Sequence, residues 1–178
     1  MIKKHLFLFF FLISAMIPTT LNAQHSIARE WNEQLLEAIR KDFARPTVHA
    51  RNLFHCSLLM YDAWAIFNNT AQPIFLGSTF GNYYTEYAPI AIPFDKNEAS
   101  KEIMSYAVFR LLTHRFANSP NAMETLDSLE TFFASLPITK AISTSQSHFF
   151  ESFGIIMSSF GPEIQLDAFI KIIGSLGI

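Results

Sequence analysis

Ser26-Ile27-Ala28-Arg29-Glu30-Trp31-Asn32-Glu33-Gln34-Leu35-Leu36-Glu37-Ala38-Ile39-Arg40-Lys41-Asp42-Phe43 carries the period that decides the fold. Ile27, Trp31, Leu35, Ala38, Ile39 and Phe43 return to one face of a helix, while Arg29, Glu33, Glu37, Arg40 and Lys41 lie off it. A stripe of that kind must be covered by another element. Ser26 stands where its hydroxyl can accept a first-turn N–H and cap the helix. Pro46 then interrupts the run. Because proline has no N–H and a fixed φ, it suits a first helical turn, so a second helix is expected from Pro46 to about Phe67. The two form a helical hairpin.

Outward from the hairpin, residues 68–95 hold Pro73, Gly77, Gly81, Pro89 and Pro93 among aromatic residues. This is turn chemistry, and the rings suit a loop laid over apolar surface. Asn68-Asn69-Thr70 matches a glycosylation acceptor, a pattern common by chance. Asp95 followed by Glu98 resembles a capping box and opens a third helix, in which Ile103, Ala107, Leu111 and His114, with Tyr106 and Arg110, continue to about Phe116. Ser119-Pro120 is expected to open a fourth, with Met123, Leu126, Leu129, Phe132 and Phe133 as its buried stripe and Pro137 at its end. The fold class is therefore all-α: an incomplete helical bundle of about four to five helices with a long aromatic-rich loop, following an N-terminal signal peptide.

That signal peptide is read from Lys3 and Lys4, the apolar run over residues 6–17, and the small residue Ala23 after Pro18. Cleavage after Ala23 would leave Gln24 first. A dozen apolar residues fall short of the roughly 20 that span a bilayer, so export to the periplasm or the extracellular medium is expected, with no stable membrane span afterwards. Cleavage would remove two of the 13 basic residues and none of the 15 acidic ones. The acidic surplus argues against a nucleic-acid partner. In 178 residues, 50% apolar composition fills one core, and 19 Phe make large rings its main filling. The single Cys56 has no internal disulfide partner, and its apolar neighbours suggest a buried, inert thiol.

The densest polar set is Arg45, His49, Arg51, Asn52, His55 and Asp62, interleaved with apolar residues of the second helix. At 100° per residue, Arg51, His55 and Asp62 fall close to one face. They are expected to form a structural polar cluster, with Asp62 neutralising Arg51 and His55 tying a loop carbonyl. Two alternatives stand beside it: Arg51 and His55 could receive an anion, or His49, His55 and Asp62 could serve a hydrolase. Zinc is disfavoured, because His49 and His55 are about 120° off a common face and no His-x-x-x-His or Glu-x-x-His pair exists.

The runs Ala28-Arg29-Glu30-Trp31-Asn32, Ala44-Arg45-Pro46-Thr47-Val48-His49-Ala50-Arg51-Asn52-Leu53-Phe54-His55 and Met60-Tyr61-Asp62-Ala63-Trp64-Ala65 resemble the N-terminal helices of exported bacterial proteins related to vanadium-dependent haloperoxidases. Tyr106-Ala107-Val108-Phe109-Arg110-Leu111-Leu112 and Arg115-Phe116-Ala117-Asn118-Ser119-Pro120-Asn121-Ala122 extend the likeness to about Leu136. The dodecamer over 44–55 is its specific part. After the signal peptide over 1–23, the resemblance marks a haloperoxidase-like helical region over 24–136 and leaves a divergent tail over 137–178.

It implies an all-α fold akin to the type-2 phosphatidic acid phosphatases, whose pocket holds vanadate or phosphate. That pocket is built from Lys-x6-Arg-Pro, Pro-Ser-Gly-His and Ser-Arg-x5-His elements, which neutralise a tetrahedral oxyanion and supply an acid–base imidazole. None is present here. Ala38 stands seven residues before Arg45-Pro46, where lysine would be needed, and neither Ser-Gly nor Ser-Arg occurs. No catalytic, cofactor-binding or metal residue is therefore carried over, and no cofactor is expected in this chain. A frameshift or truncation would account for the tail: back-translating residues 163–176 one base earlier permits a Gly-Asn-Pro-Thr run and then Asn-His-Trp-Gln-Pro. The expected function is that of an N-terminal portion, inactive alone, of a haloperoxidase- or acid-phosphatase-like protein, its partner being the missing C-terminal catalytic portion. The alternative is a self-sufficient exported helical binding module.

Overall fold

A computed structural model describes residues 25–80, 83–84 and 95–138. The expected signal peptide and the tail beyond residue 138 lie outside the described residues, as do 81–82 and 85–94 of the aromatic-rich loop. Among the described residues the fold is all-α, with four helices: α1 (Ile27–Arg40), α2 (Pro46–Ala65), α3 (Lys96–Phe116) and α4 (Ala122–Ser135). Extended pairing is confined there to a short antiparallel ladder, Thr79 opposite Tyr84 and Phe80 opposite Tyr83.

The helix starts follow their caps. Ser26 accepts the N–H of Arg29, Pro46 occupies the first turn of α2, and Asp95 accepts the N–H groups of both Asn97 and Glu98. α4 departs from expectation. It begins at Ala122 rather than at Ser119-Pro120, because the chain first closes a turn in which Ala122 donates to the Ser119 carbonyl.

α3 is the central helix and touches each of the other three, most extensively α2. It buries residues on several sides, Ile103, Ala107, Val108 and Leu112 among them. α1 instead turns one stripe inward, with Trp31, Leu35 and Ala38 buried at steps of four and three. Trp31 lies edge-on to Phe132 at 4.8 Å, and Phe133 stacks on Phe109 at 4.5 Å, so α1, α3 and α4 meet in an aromatic layer. The indole N–H of Trp31 donates to the Ser105 hydroxyl at 3.1 Å, and that hydroxyl donates to the Lys101 carbonyl at 2.7 Å. A second tie joins the end of α1 to the start of α4, where Asn121 donates to the Lys41 carbonyl and Lys41 pairs with Glu124.

Two expected core residues are on the surface. Phe43 is 82% exposed because α1 stops at Arg40 and its stripe does not reach so far, and Met123 is 88% exposed in the first turn of α4. Thr125 and Leu129 carry the buried line of that helix instead.

Ser105→Ala should leave the buried indole N–H without its acceptor while barely changing packing. A loss of about 1–2 kcal/mol is expected, read as a lower urea midpoint with an unchanged m-value.

Candidate functional site

The polar residues of α2 divide into two separate arrangements. Arg51, His55 and Asp62 do share a face, but a helix rises 1.5 Å per residue, so the eleven positions from Arg51 to Asp62 span roughly 16 Å. A shared face is not a shared site.

Asp62, fully buried near the end of α2, belongs to the loop. Its Oδ1 accepts the Ile74 N–H at 2.7 Å, and its Oδ2 accepts the N–H groups of Phe75 and Leu76 at 2.8 and 2.9 Å. Three successive amides thus converge on one carboxylate, an anion-holding curve of backbone. The chain turns away at once: Ser78 donates to the Phe75 carbonyl, and Gly77 takes φ 74°, where a β-carbon would be strained. Burial raises the Asp62 pKa above the usual carboxylate range, against the pull of the three amides. The expected neutralisation of Arg51 is replaced by this clamp, which fastens Phe75 and Leu76 into the core. Nearby, Asn68 accepts the Thr70 and Ala71 N–H groups, so the side chain of the acceptor-like motif is engaged in a local turn.

His55, two turns before Asp62, is buried to 1% exposure and meets α3. Its Nδ1 lies 2.8 Å from Nη2 of Arg115. A guanidinium only donates, so Nδ1 is the acceptor and the ring is neutral. Burial, then the charges of Arg115 and Arg51, push the imidazole down to about 4. Arg115 is itself pushed down to about 10 by burial and by Arg51. Through Nδ1, His55 therefore joins α2 to α3. Arg115, 60 positions away in sequence, is the member that pattern reading misses. Only its place in the last turn of a helix, opposite the middle of α2, could have suggested it.

The cluster that results holds two guanidinium groups around one neutral imidazole. Arg51 precedes His55 by one turn, and the Nε atoms of Arg51 and Arg115 are buried without a hydrogen-bond partner among the described residues. No carboxylate there forms an ion pair with either. His49 does not join the hydrogen bond to Arg115, and its buried Nδ1 has no partner among the described residues.

This geometry does not supply the acid–base imidazole of the vanadate or phosphate pocket that the resemblance implies. His55 Nδ1 is taken by Arg115, and the ring resists protonation, so acid–base work at an oxyanion is not open to that atom. Cys56 is fully buried and its thiol is pushed up to about 12, which rules out an active nucleophile near neutral pH. Among the described residues, no group of three or more His, Cys, Asp or Glu could hold a metal ion, and no helix is long and apolar enough to cross a membrane. A cavity of about 390 Å³ opens between the start of α1, the first half of α3 and the end of α4, lined by Glu30, Glu98, Lys101 and Glu102 among others. It lies apart from the arginine cluster. No family model, curated protein or solved structure matches the chain.

Proposed function

We propose that this chain is the N-terminal helical portion of an exported haloperoxidase- or acid-phosphatase-like protein and has no catalytic turnover by itself. The observation that carries the reading is the dodecamer over 44–55, followed by Met60-Tyr61-Asp62-Ala63-Trp64-Ala65, on a helix whose Asp62 and His55 are engaged in holding other parts of the fold. Asp62 fastens a loop, and His55 holds Arg115. The absence of Pro-Ser-Gly-His and Ser-Arg-x5-His elements supports the second half of the proposal. Catalysis on this reading requires a further portion that supplies the oxyanion pocket. Export rests on the Lys3-Lys4 start and the apolar run over 6–17.

Purified chain mixed with vanadate, peroxide and bromide, or with a phosphomonoester, should give rates equal to the protein-free blank. Turnover that disappears in His55→Ala while the fold is retained would refute the proposal. The alternative, a self-sufficient binding module, draws on the exposure of Phe43 and Met123, whose neighbours Lys41 and Glu124 form the tie between α1 and α4. Turnover cannot distinguish it from the first reading; solubility can. A module should stay monomeric when concentrated, whereas a folded portion lacking its partner should self-associate through its uncovered apolar surface.

A further inference from the structure

We propose that Arg51 and Arg115, with His55 holding Arg115 in place, form a receptor for one oxyanionic group, a phosphate-class ion or a carboxylate. The site lies where the first half of α2 faces the last turn of α3, and it is separate from the pocket elements that the family resemblance implies.

Two like charges converge there. Arg115 is fixed by its 2.8 Å bond to His55 Nδ1, and Arg51 stands one helical turn from His55 on the same side of α2. Both arginines are partly buried, so water screens them less than it would on the surface. Among the described residues no acidic side chain answers either. Each guanidinium also buries an Nε–H with no acceptor among those residues. A buried donor of that kind costs stability until an acceptor arrives.

The missing chemistry is specific: negative charge carried on at least two oxygens, which guanidinium forks bind in pairs. A halide gives charge without the geometry. One group close by in sequence adds to the shortage: the Ser119 hydroxyl, four positions beyond Arg115, is buried without a partner among the described residues and can rotate to present a donor. His55 contributes position rather than charge. Its neutral ring accepts from Arg115, and that bond orients the fork.

The test is a thermal melt of the full chain at constant ionic strength in chloride, acetate or inorganic phosphate, repeated for Arg51→Gln and Arg115→Gln. Phosphate stabilises most proteins through exclusion from their surface, so the decisive quantity is the difference between wild type and variants. Wild type should gain at least about 3 °C in phosphate beyond the gain of either variant. Phosphate alone giving that excess identifies a tetrahedral ion, whereas an equal excess in acetate identifies a carboxylate. Isothermal titration of phosphate and acetate into wild type should show one site per chain. Should a glutamine variant fail to fold, Arg115→Lys keeps the charge, loses the fork, and should bind about tenfold more weakly or worse. Equal stabilisation of wild type and variants, or no saturable heat with either anion, overturns the proposal.

Discussion

Asp62→Ala is expected to lower stability by about 3–5 kcal/mol. The carboxylate is fully buried and receives three amide hydrogens, from Ile74, Phe75 and Leu76. Alanine removes every one of those acceptors while the amides of Phe75 and Leu76 stay inside. Burial of the carboxylate has its own cost, shown by its raised pKa, which keeps the net loss below the sum of three charge-assisted bonds. Asp62→Asn retains one acceptor oxygen and should lose roughly half as much. Urea unfolding should rank wild type as the most stable, Asp62→Asn next and Asp62→Ala last. Hydrogen exchange adds the local signature: the amides of Ile74, Phe75 and Leu76 should exchange faster in both variants than in wild type, ahead of those of α3.

Acidification should remove about 3 kcal/mol through His55 alone. The imidazole titrates near 6.5 when unfolded and at about 4 in the fold, where burial and the charges of Arg115 and Arg51 oppose a third positive charge. Between those values the unfolded chain binds the proton and the folded chain does not. The contribution is therefore complete above the unfolded value and is lost as pH falls from there through the folded one. Asp62 acts in the opposite direction, since a raised carboxyl gains its proton more readily in the fold. Comparison with His55→Asn isolates the histidine: asparagine can still accept from Arg115 but does not titrate. Denaturant midpoints measured from neutral pH down to about 4 should fall in wild type and hold or rise in the variant, where Asp62 still titrates. Equal slopes would show that His55 does not govern acid stability.

Local features of this fold are legible because their causes are local. Ser26, Pro46 and Asp95 mark helix starts through groups that act within three residues, and all three operate as expected. The stripe of α1 is readable from Trp31 to Ala38. Its extension to Phe43 fails, because periodicity does not say where a helix stops. Met123 shows the related error at the other end of a helix. The polar cluster is only partly legible. Angular spacing puts Arg51, His55 and Asp62 on one face but ignores the rise between them. The partners of Asp62, the amides of 74–76, lie 12 to 14 positions away, and the partner of His55 lies 60 away. Nothing in a single sequence encodes such pairings except the need of a buried charge for some partner.

The bond from Trp31 to Ser105 joins positions 74 apart, and that from Asn121 to Lys41 joins positions 80 apart. α1 and α2, by contrast, touch each other less than either touches α3. The chain consequently closes late. As it emerges from the ribosome, its first two helices have little to settle against until residue 116 has followed, and Trp31, Leu35 and Leu59 remain open to capture by a chaperone. On the export route proposed above such delay is useful: the thread stays loose for as long as it must be threaded.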